Sequence, residues 1–113
     1  MLDYQKTEQS NVTIFALKGN LDALTAAALK KEIEALLAAR RINVVFDLAS
    51  LELIDSSGVG AIVSLFKRVR TLQGDVKIAR LRGQPAEIFK LLRLDRAFEL
   101  FDSVEAAVGK FHA

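Results

Sequence analysis

Cysteine and tryptophan are absent from this chain of 113 residues, and proline, tyrosine, methionine and histidine occur once each. Without cysteine there is no disulfide, no thiol nucleophile and no thiolate metal ligand, which fits a reducing compartment. The single histidine, His112, stands next to the C-terminal residue, where backbone order is often low. We therefore expect a solvated tail residue and not a member of a Ser-His-Asp triad.

Long apolar runs are also missing. None approaches the ~18–20 residues that span a bilayer, so membrane insertion is not expected. The N-terminus lacks the basic and apolar sections of a signal peptide, which makes a cytoplasmic location the default. With 51% hydrophobic and 27% charged residues, the composition is typical of a soluble globular protein. The length predicts a single domain over residues 1–113.

The charge is unevenly distributed. Residues 67–96 contain nine basic and three acidic side chains, a net charge of +6 in a chain whose total is +2. Such a segment could attract nucleic acid or an acidic protein surface. No aromatic residues alternate with these charges as they do in single-strand binders, so we interpret them as solvated faces and predict no direct nucleic-acid binding.

The hydrophobic pattern predicts an α/β fold. An N-terminal β-hairpin joins a mixed sheet of about four to five strands, packed with about four helices. The predicted strands cover residues 2–7, 12–17, 42–48, 76–81 and 98–101. The predicted helices cover residues 25–40, 57–72, 85–92 and 103–111, with Pro85 opening the third.

Residues 51–60 form the predicted loop between the buried strand and the second helix. Asp55 and Ser56 are both good helix N-cap residues, and Gly58 and Gly60 stand where a helix favours alanine. One interpretation is an ordinary turn whose glycines let the helix pack tightly. The other is an exposed hydroxyl at a helix N-terminus, with glycines that let a partner approach. In that case, and if Gly58 has helical dihedrals, Gly58→Ala should stabilise the isolated domain slightly or leave its stability unchanged, and should impair partner binding.

Enzyme motifs are not found in this segment. A Rossmann fingerprint fails because Val63 occupies its third glycine position, and a nucleophile elbow fails because Ile54 stands where its first glycine belongs. A P-loop is absent as well. No cofactor or metal site is predicted.

The segment Leu-Glu-Leu-Ile-Asp-Ser-Ser-Gly-Val-Gly at 51–60 resembles the phosphorylation loop of bacterial anti-sigma factor antagonists, the founding members of the STAS domain family. Residues 17–22, Leu-Lys-Gly-Asn-Leu-Asp, are similar to that family's Gly-Glu-Leu-Asp, with Asn20 in place of the common glutamate. The order of strands and helices agrees with the STAS fold over nearly the whole chain.

The resemblance implies a role for each matching residue. Ser56 corresponds to the serine that a partner kinase phosphorylates. A partner-binding surface is expected from Asp22, Asp55, Ser56, Ser57, Gly58 and Val59. The dephosphorylated protein would bind an anti-sigma factor, itself a serine kinase of the GHKL-type ATPase class, and thereby release a sigma factor. A PP2C-type phosphatase would restore the binding form. The free protein is expected to be a monomer.

Two other functions remain open from the sequence. STAS domains also serve as accessory subunits of membrane complexes that transport lipids or anions, although the intact Asp-Ser-Ser loop favours the regulatory role. A small hydrolase or nucleotide-binding enzyme using Asp22 and Asp55 is the third possibility, but no catalytic constellation supports it, and we predict that the protein is not an enzyme.

Overall fold

A computed structural model describes residues 1–111, so His112 and the prediction made for it lie outside the described residues. The described chain forms one five-stranded sheet in the order β1-β2-β3-β4-β5. The strands are β1 (Leu2–Gln9), β2 (Val12–Leu21), β3 (Asn43–Ile54), β4 (Asp75–Ala79) and β5 (Leu100–Phe101). The helices are α1 (Ala26–Ala38), α2 (Ser56–Thr71), α3 (Gly83–Leu91), α4 (Leu94–Ala97) and α5 (Val104–Gly109).

The sheet is mixed, as predicted. β1 and β2 form the antiparallel hairpin, whereas β2–β3, β3–β4 and β4–β5 are parallel pairs. The hydrophobic run at the start of β3 is buried from Val44 to Leu48, because helices cover both faces of the sheet there. The main core lies between the sheet and the helices α1, α2 and α3. A smaller cluster lies under α5 on the opposite face.

Three strands are longer than predicted, β1 by two residues and β2 and β3 by more. β2 continues to Leu21 and β3 to Ile54, because their polar second halves pair with each other across two register shifts. Leu51 and Ile54 are buried while Glu52 and Leu53 between them are exposed, so the buried face persists through a stretch that reads as a loop. The predicted loop from residue 51 is therefore wrong for residues 51–54.

The helices differ from the prediction at two points. The four-residue α4 was not predicted, since no apolar periodicity can be seen over one turn. α3 begins at Gly83, two residues before Pro85, which places the proline in the first turn where its missing amide proton is not needed.

Beyond Ala79, β3 no longer has β4 as a neighbour, since the last residue pair of these strands is Asp47 with Ala79. Asp47 is buried there, and its carboxylate accepts hydrogen bonds from Arg80 Nε at 2.9 Å and Nη2 at 2.6 Å. The two hydrogen bonds and the positive charge of Arg80 compensate the buried negative charge of Asp47. β4 ends at Ala79, and the backbone of Arg80 has a positive φ of 56°, so the carboxyl half of β3 extends beyond β4.

Among residues 1–111, no helix combines the length and the apolar character required to cross a membrane.

Candidate functional site

The candidate site lies where β2 and β3 end. Leu21 and Ile54 are paired in the parallel register, and Asp22 and Asp55 follow them directly. The two connections that leave these strands, to α1 and to α2, therefore start side by side at one edge of the sheet. This carboxyl edge is where α/β proteins commonly place binding groups.

Asp55 is the only residue between β3 and α2, and its carboxylate joins both connections. Oδ1 accepts hydrogen bonds from the amides of Ser57 at 2.9 Å and Gly58 at 3.1 Å, which caps α2. Oδ2 accepts a hydrogen bond from the amide of Ala23 at 3.1 Å, in the connection from β2 to α1. The Asp55 amide donates to the carbonyl of Leu21 at 3.1 Å. Asp55 thus holds the two connections together through hydrogen bonds.

Ser56 is the first residue of α2 and not its cap, since Asp55 takes the cap position. The sequence left both residues as N-cap candidates, and the extended backbone of Asp55 decides between them. Ser56 is exposed, whereas Ser57 is half-buried. The structure therefore presents the Ser56 side chain at the positive end of a sixteen-residue helix.

The two glycines of α2 differ. Gly58 is buried, and a Cβ atom there would lie 2.5 Å from the Leu21 carbonyl oxygen and 2.8 Å from side-chain atoms of Leu21 and Ile54. The close approach is to the protein's own backbone, so we expect Gly58→Ala to destabilise the domain, contrary to the expectation from the sequence. Gly60 is exposed, with nothing within 4 Å of the same position.

The predicted site residues fall into two groups. Asp22, Asp55, Ser56 and Ser57 reach the surface at this edge, wholly or in part. Gly58 and Val59 point into the protein, and Val59 belongs to the main core. Gly58 and Val59 therefore lie beneath this surface and present no side chain to a partner.

The connection from β2 to α1 is held by its own side chains. Asp22 Oδ1 accepts hydrogen bonds from the amides of Leu24 at 3.0 Å and Thr25 at 3.1 Å. Hydrogen bonding from the Thr25 amide, with further bonds from the Thr25 hydroxyl and the Leu24 amide, lowers the pKa of Asp22 against a smaller opposing effect of desolvation. Asp22 is a structural acceptor within its loop.

One residue of the site was not found from the sequence. The side-chain amide of Gln84, in the first turn of α3, bonds the backbone of Ile54 immediately before Asp55. No local pattern marks this glutamine, because the contact joins residues thirty positions apart.

A five-stranded mixed sheet that begins with a hairpin, with an Asp-Ser-Ser-Gly turn opening a helix at its carboxyl edge, is the fold and site of a STAS domain. The family model for the STAS domain matches residues 3–107, and the chain belongs to that family.

Named relatives are similar over most of the chain. A Bordetella bronchiseptica protein, provisionally named anti-sigma factor antagonist BtrV, is 29% identical over 98 residues, which cover 87% of this chain and 84% of that protein. The crystal structure of a protein from Thermotoga maritima, provisionally described as an anti-sigma factor antagonist, has a TM-score of 0.89 at 21% identity and covers 95% of this chain and 92% of that one. The phosphorylated form of the Bacillus cell fate determinant SpoIIAA has a TM-score of 0.79 at 16% identity, covering 96% of this chain and 98% of that one.

Proposed function

We propose that this protein is an anti-sigma factor antagonist whose binding to an anti-sigma factor is controlled by phosphorylation of Ser56. Its partners are an anti-sigma factor serine kinase of the GHKL-type ATPase class and a PP2C-type phosphatase. It acts in the cytoplasm as a regulator and not as an enzyme. The observation that carries the proposal is the exposed Ser56 hydroxyl at the start of α2, beside the carboxylate that joins the two connections of the site.

The relatives support this proposal. BtrV carries the name of an anti-sigma factor antagonist, and SpoIIAA, which shares the fold, has been solved in a phosphorylated form. The serine of this chain lies in the Asp-Ser-Ser-Gly turn, at a helix N-terminus that a kinase can reach from solvent.

The geometry indicates how a phosphate would end binding. A phosphate on Ser56 adds about −1.5 to −2 charges at neutral pH. The amides of Ser57 and Gly58, which could otherwise bind it, already donate to Asp55. The phosphate would therefore remain at the surface beside a second anion. A partner surface shaped for a neutral hydroxyl would have to bury that charge without compensation, which costs several kcal/mol.

Phosphorylation is not expected to unfold the domain, because anions near a helix N-terminus are favoured by the helix dipole. The switch then acts through the surface charge of an intact fold.

The test uses the GHKL-type kinases of the source genome, beginning with any encoded next to this chain. Each is incubated with the wild-type protein and ATP, and the phosphorylated residue is located by peptide mass spectrometry. We expect one kinase to modify Ser56 and to bind only the unmodified protein. Phosphorylation of Ser57 in Ser56→Ala at the wild-type rate contradicts the assignment. Co-purification with a transport permease and with no such kinase would favour the accessory-subunit alternative.

A further inference from the structure

Leu24 is the most exposed large hydrophobic side chain among residues 1–111, at 92% of its full accessible surface. It lies in the connection from β2 to α1, two residues after Asp22. Single exposed leucines are common on protein surfaces and need no explanation by themselves. What distinguishes Leu24 is the loop that holds it.

That loop has no free backbone donor. The amides of five consecutive residues each find an acceptor within the protein: Asp22 donates to Thr25 Oγ1, Ala23 to Asp55 Oδ2, Leu24 and Thr25 to Asp22 Oδ1, and Ala26 to the Asp22 carbonyl. The distances lie between 2.8 and 3.1 Å.

The two ends of the loop are fixed as well. Leu21 and Ala26 are buried, and the Thr25 hydroxyl reaches the carbonyl of Asn20 at 2.9 Å. Water could satisfy the amides of an exposed loop, so this degree of internal bonding fixes the loop in one shape at a cost in conformational entropy. The result is a defined backbone position for an apolar side chain that projects into solvent.

The position of Leu24 is linked to the switch residue through one side chain. Asp55 bonds Ala23, the neighbour of Leu24, with Oδ2 and caps the helix that begins at Ser56 with Oδ1. The loop that carries Leu24 and the helical turn that carries Ser56 are therefore both hydrogen-bonded to the Asp55 carboxylate.

We propose that Leu24 is the apolar anchor of the partner interface, inserted into an apolar pocket of the anti-sigma factor kinase next to the surface that contacts Ser56. This inference rests on the proposed function and deepens it, by assigning the hydrophobic contact beside the polar residues Asp22, Asp55, Ser56 and Ser57. A side chain buried in a well-packed pocket and surrounded by polar contacts that exclude water can carry much of the binding energy of an interface. Because the loop is already ordered, its entropy is not lost on binding.

The chain offers a matched control. Leu91 is also a largely exposed leucine, at 76%, and it is the last residue of α3, at the opposite end of that helix from Gln84. The experiment compares Leu24→Gln, Leu24→Met and Leu91→Gln. Their Kd values are measured by calorimetry with the kinase that phosphorylates the wild-type chain, and their unfolding midpoints by urea denaturation.

We expect Leu24→Gln to raise the Kd about 10- to 100-fold, the effect of losing a buried leucine side chain, with an unchanged unfolding midpoint. Leu24→Met should restore most of the affinity, and Leu91→Gln should bind like the wild type.

The outcomes separate the two proposals. If Leu24→Gln binds like the wild type while Ser56→Asp loses binding, the anchor is refuted and the proposed function stands. Equal losses of affinity for Leu24→Gln and Leu91→Gln refute the anchor too, since the apolar contribution to binding would then not be specific to Leu24. A wild-type chain that binds no such kinase overturns the proposed function and this inference with it.

Discussion

The side chain of Gln84 takes the place of a neighbouring strand for Ile54. Its Oε1 accepts a hydrogen bond from the Ile54 amide at 2.9 Å, and its Nε2 donates to the Ile54 carbonyl at 3.0 Å. β4 has already turned away at this level of the sheet, so without Gln84 the last residue of β3 would lack bonds on that side. Gln84 thereby fixes the backbone that enters Asp55.

We predict that Gln84→Ala lowers the free energy of unfolding by about 1–3 kcal/mol, because the buried Ile54 loses both partners. Gln84→Glu keeps the acceptor oxygen, so its free energy of unfolding should lie between those of Gln84→Ala and the wild type. The control is Gln5→Ala, at an exposed glutamine of β1. Its free energy of unfolding should differ from that of the wild type by no more than about 0.5 kcal/mol. Urea denaturation measures all three, and a Gln84→Ala protein as stable as the control would contradict the prediction.

The two glycines of α2 should respond oppositely to alanine. Gly58→Ala places a methyl group against the Leu21 carbonyl, which belongs to a paired strand and cannot easily move, so we expect a loss of about 1–3 kcal/mol or more. Gly60→Ala adds a methyl group in open space within a helix and should stabilise the protein by about 0.5–1 kcal/mol. Thermal and urea unfolding of both variants check this pair, and an equal response would contradict it.

The sequence predicted the elements that a buried periodic face defines. α1, α2 and the first half of β3 have such faces, and their positions are confirmed to within a few residues. The second halves of β2 and β3 were missed because Lys18, Gly19 and Asn20 carry no apolar alternation, and they are strands only because they pair with residues 50–53. Pairing between distant segments cannot be read from a local pattern.

The Asp-Ser-Ser-Gly motif located the exposed residues of the site but not the hydrogen bonds that hold them. Asp55 was correctly given as a possible cap, since an acid before a helix has a local reason to be there. The two interpretations of Gly58 cannot be separated from the sequence, because whether a glycine faces a partner or a neighbouring strand depends on tertiary packing. The bonds of Asp55 to Ala23 and of Gln84 to Ile54 depend on packing in the same way.

Asp22 gives a prediction that depends on charge and pH. Asp22→Ala removes the acceptor for two amides, so Leu24 and Thr25 should lose protection from hydrogen exchange, whereas Asp22→Asn keeps an acceptor oxygen and should retain most of it. Because the pKa of Asp22 is lowered in the folded protein, its stabilising contribution is present above the unfolded pKa and is lost as the pH falls through the folded pKa. The loop is therefore expected to be fully formed at neutral pH. Amide exchange followed by NMR measures the protection, and equal protection in Asp22→Ala and the wild type would show that the other bonds hold the loop.

The last prediction separates charge from size at Ser56. Asparagine and aspartate are nearly the same size, so Ser56→Asn tests the steric effect and Ser56→Asp adds the charge. We expect Ser56→Asp to weaken kinase binding at least about tenfold more than Ser56→Asn, equivalent to ~1.4 kcal/mol, because the added charge lies beside Asp55 and the nearby amides are already used. Both variants should keep the wild-type unfolding midpoint within a few degrees, since position 56 is exposed and an acid in the first helical turn is favoured. Calorimetry at low and high salt measures the difference, which should shrink as salt screens the repulsion. If the two variants lose affinity equally at both salt concentrations, the switch works by size and the electrostatic account is wrong. A large fall in the melting temperature of Ser56→Asp alone would instead place the effect in the stability of α2.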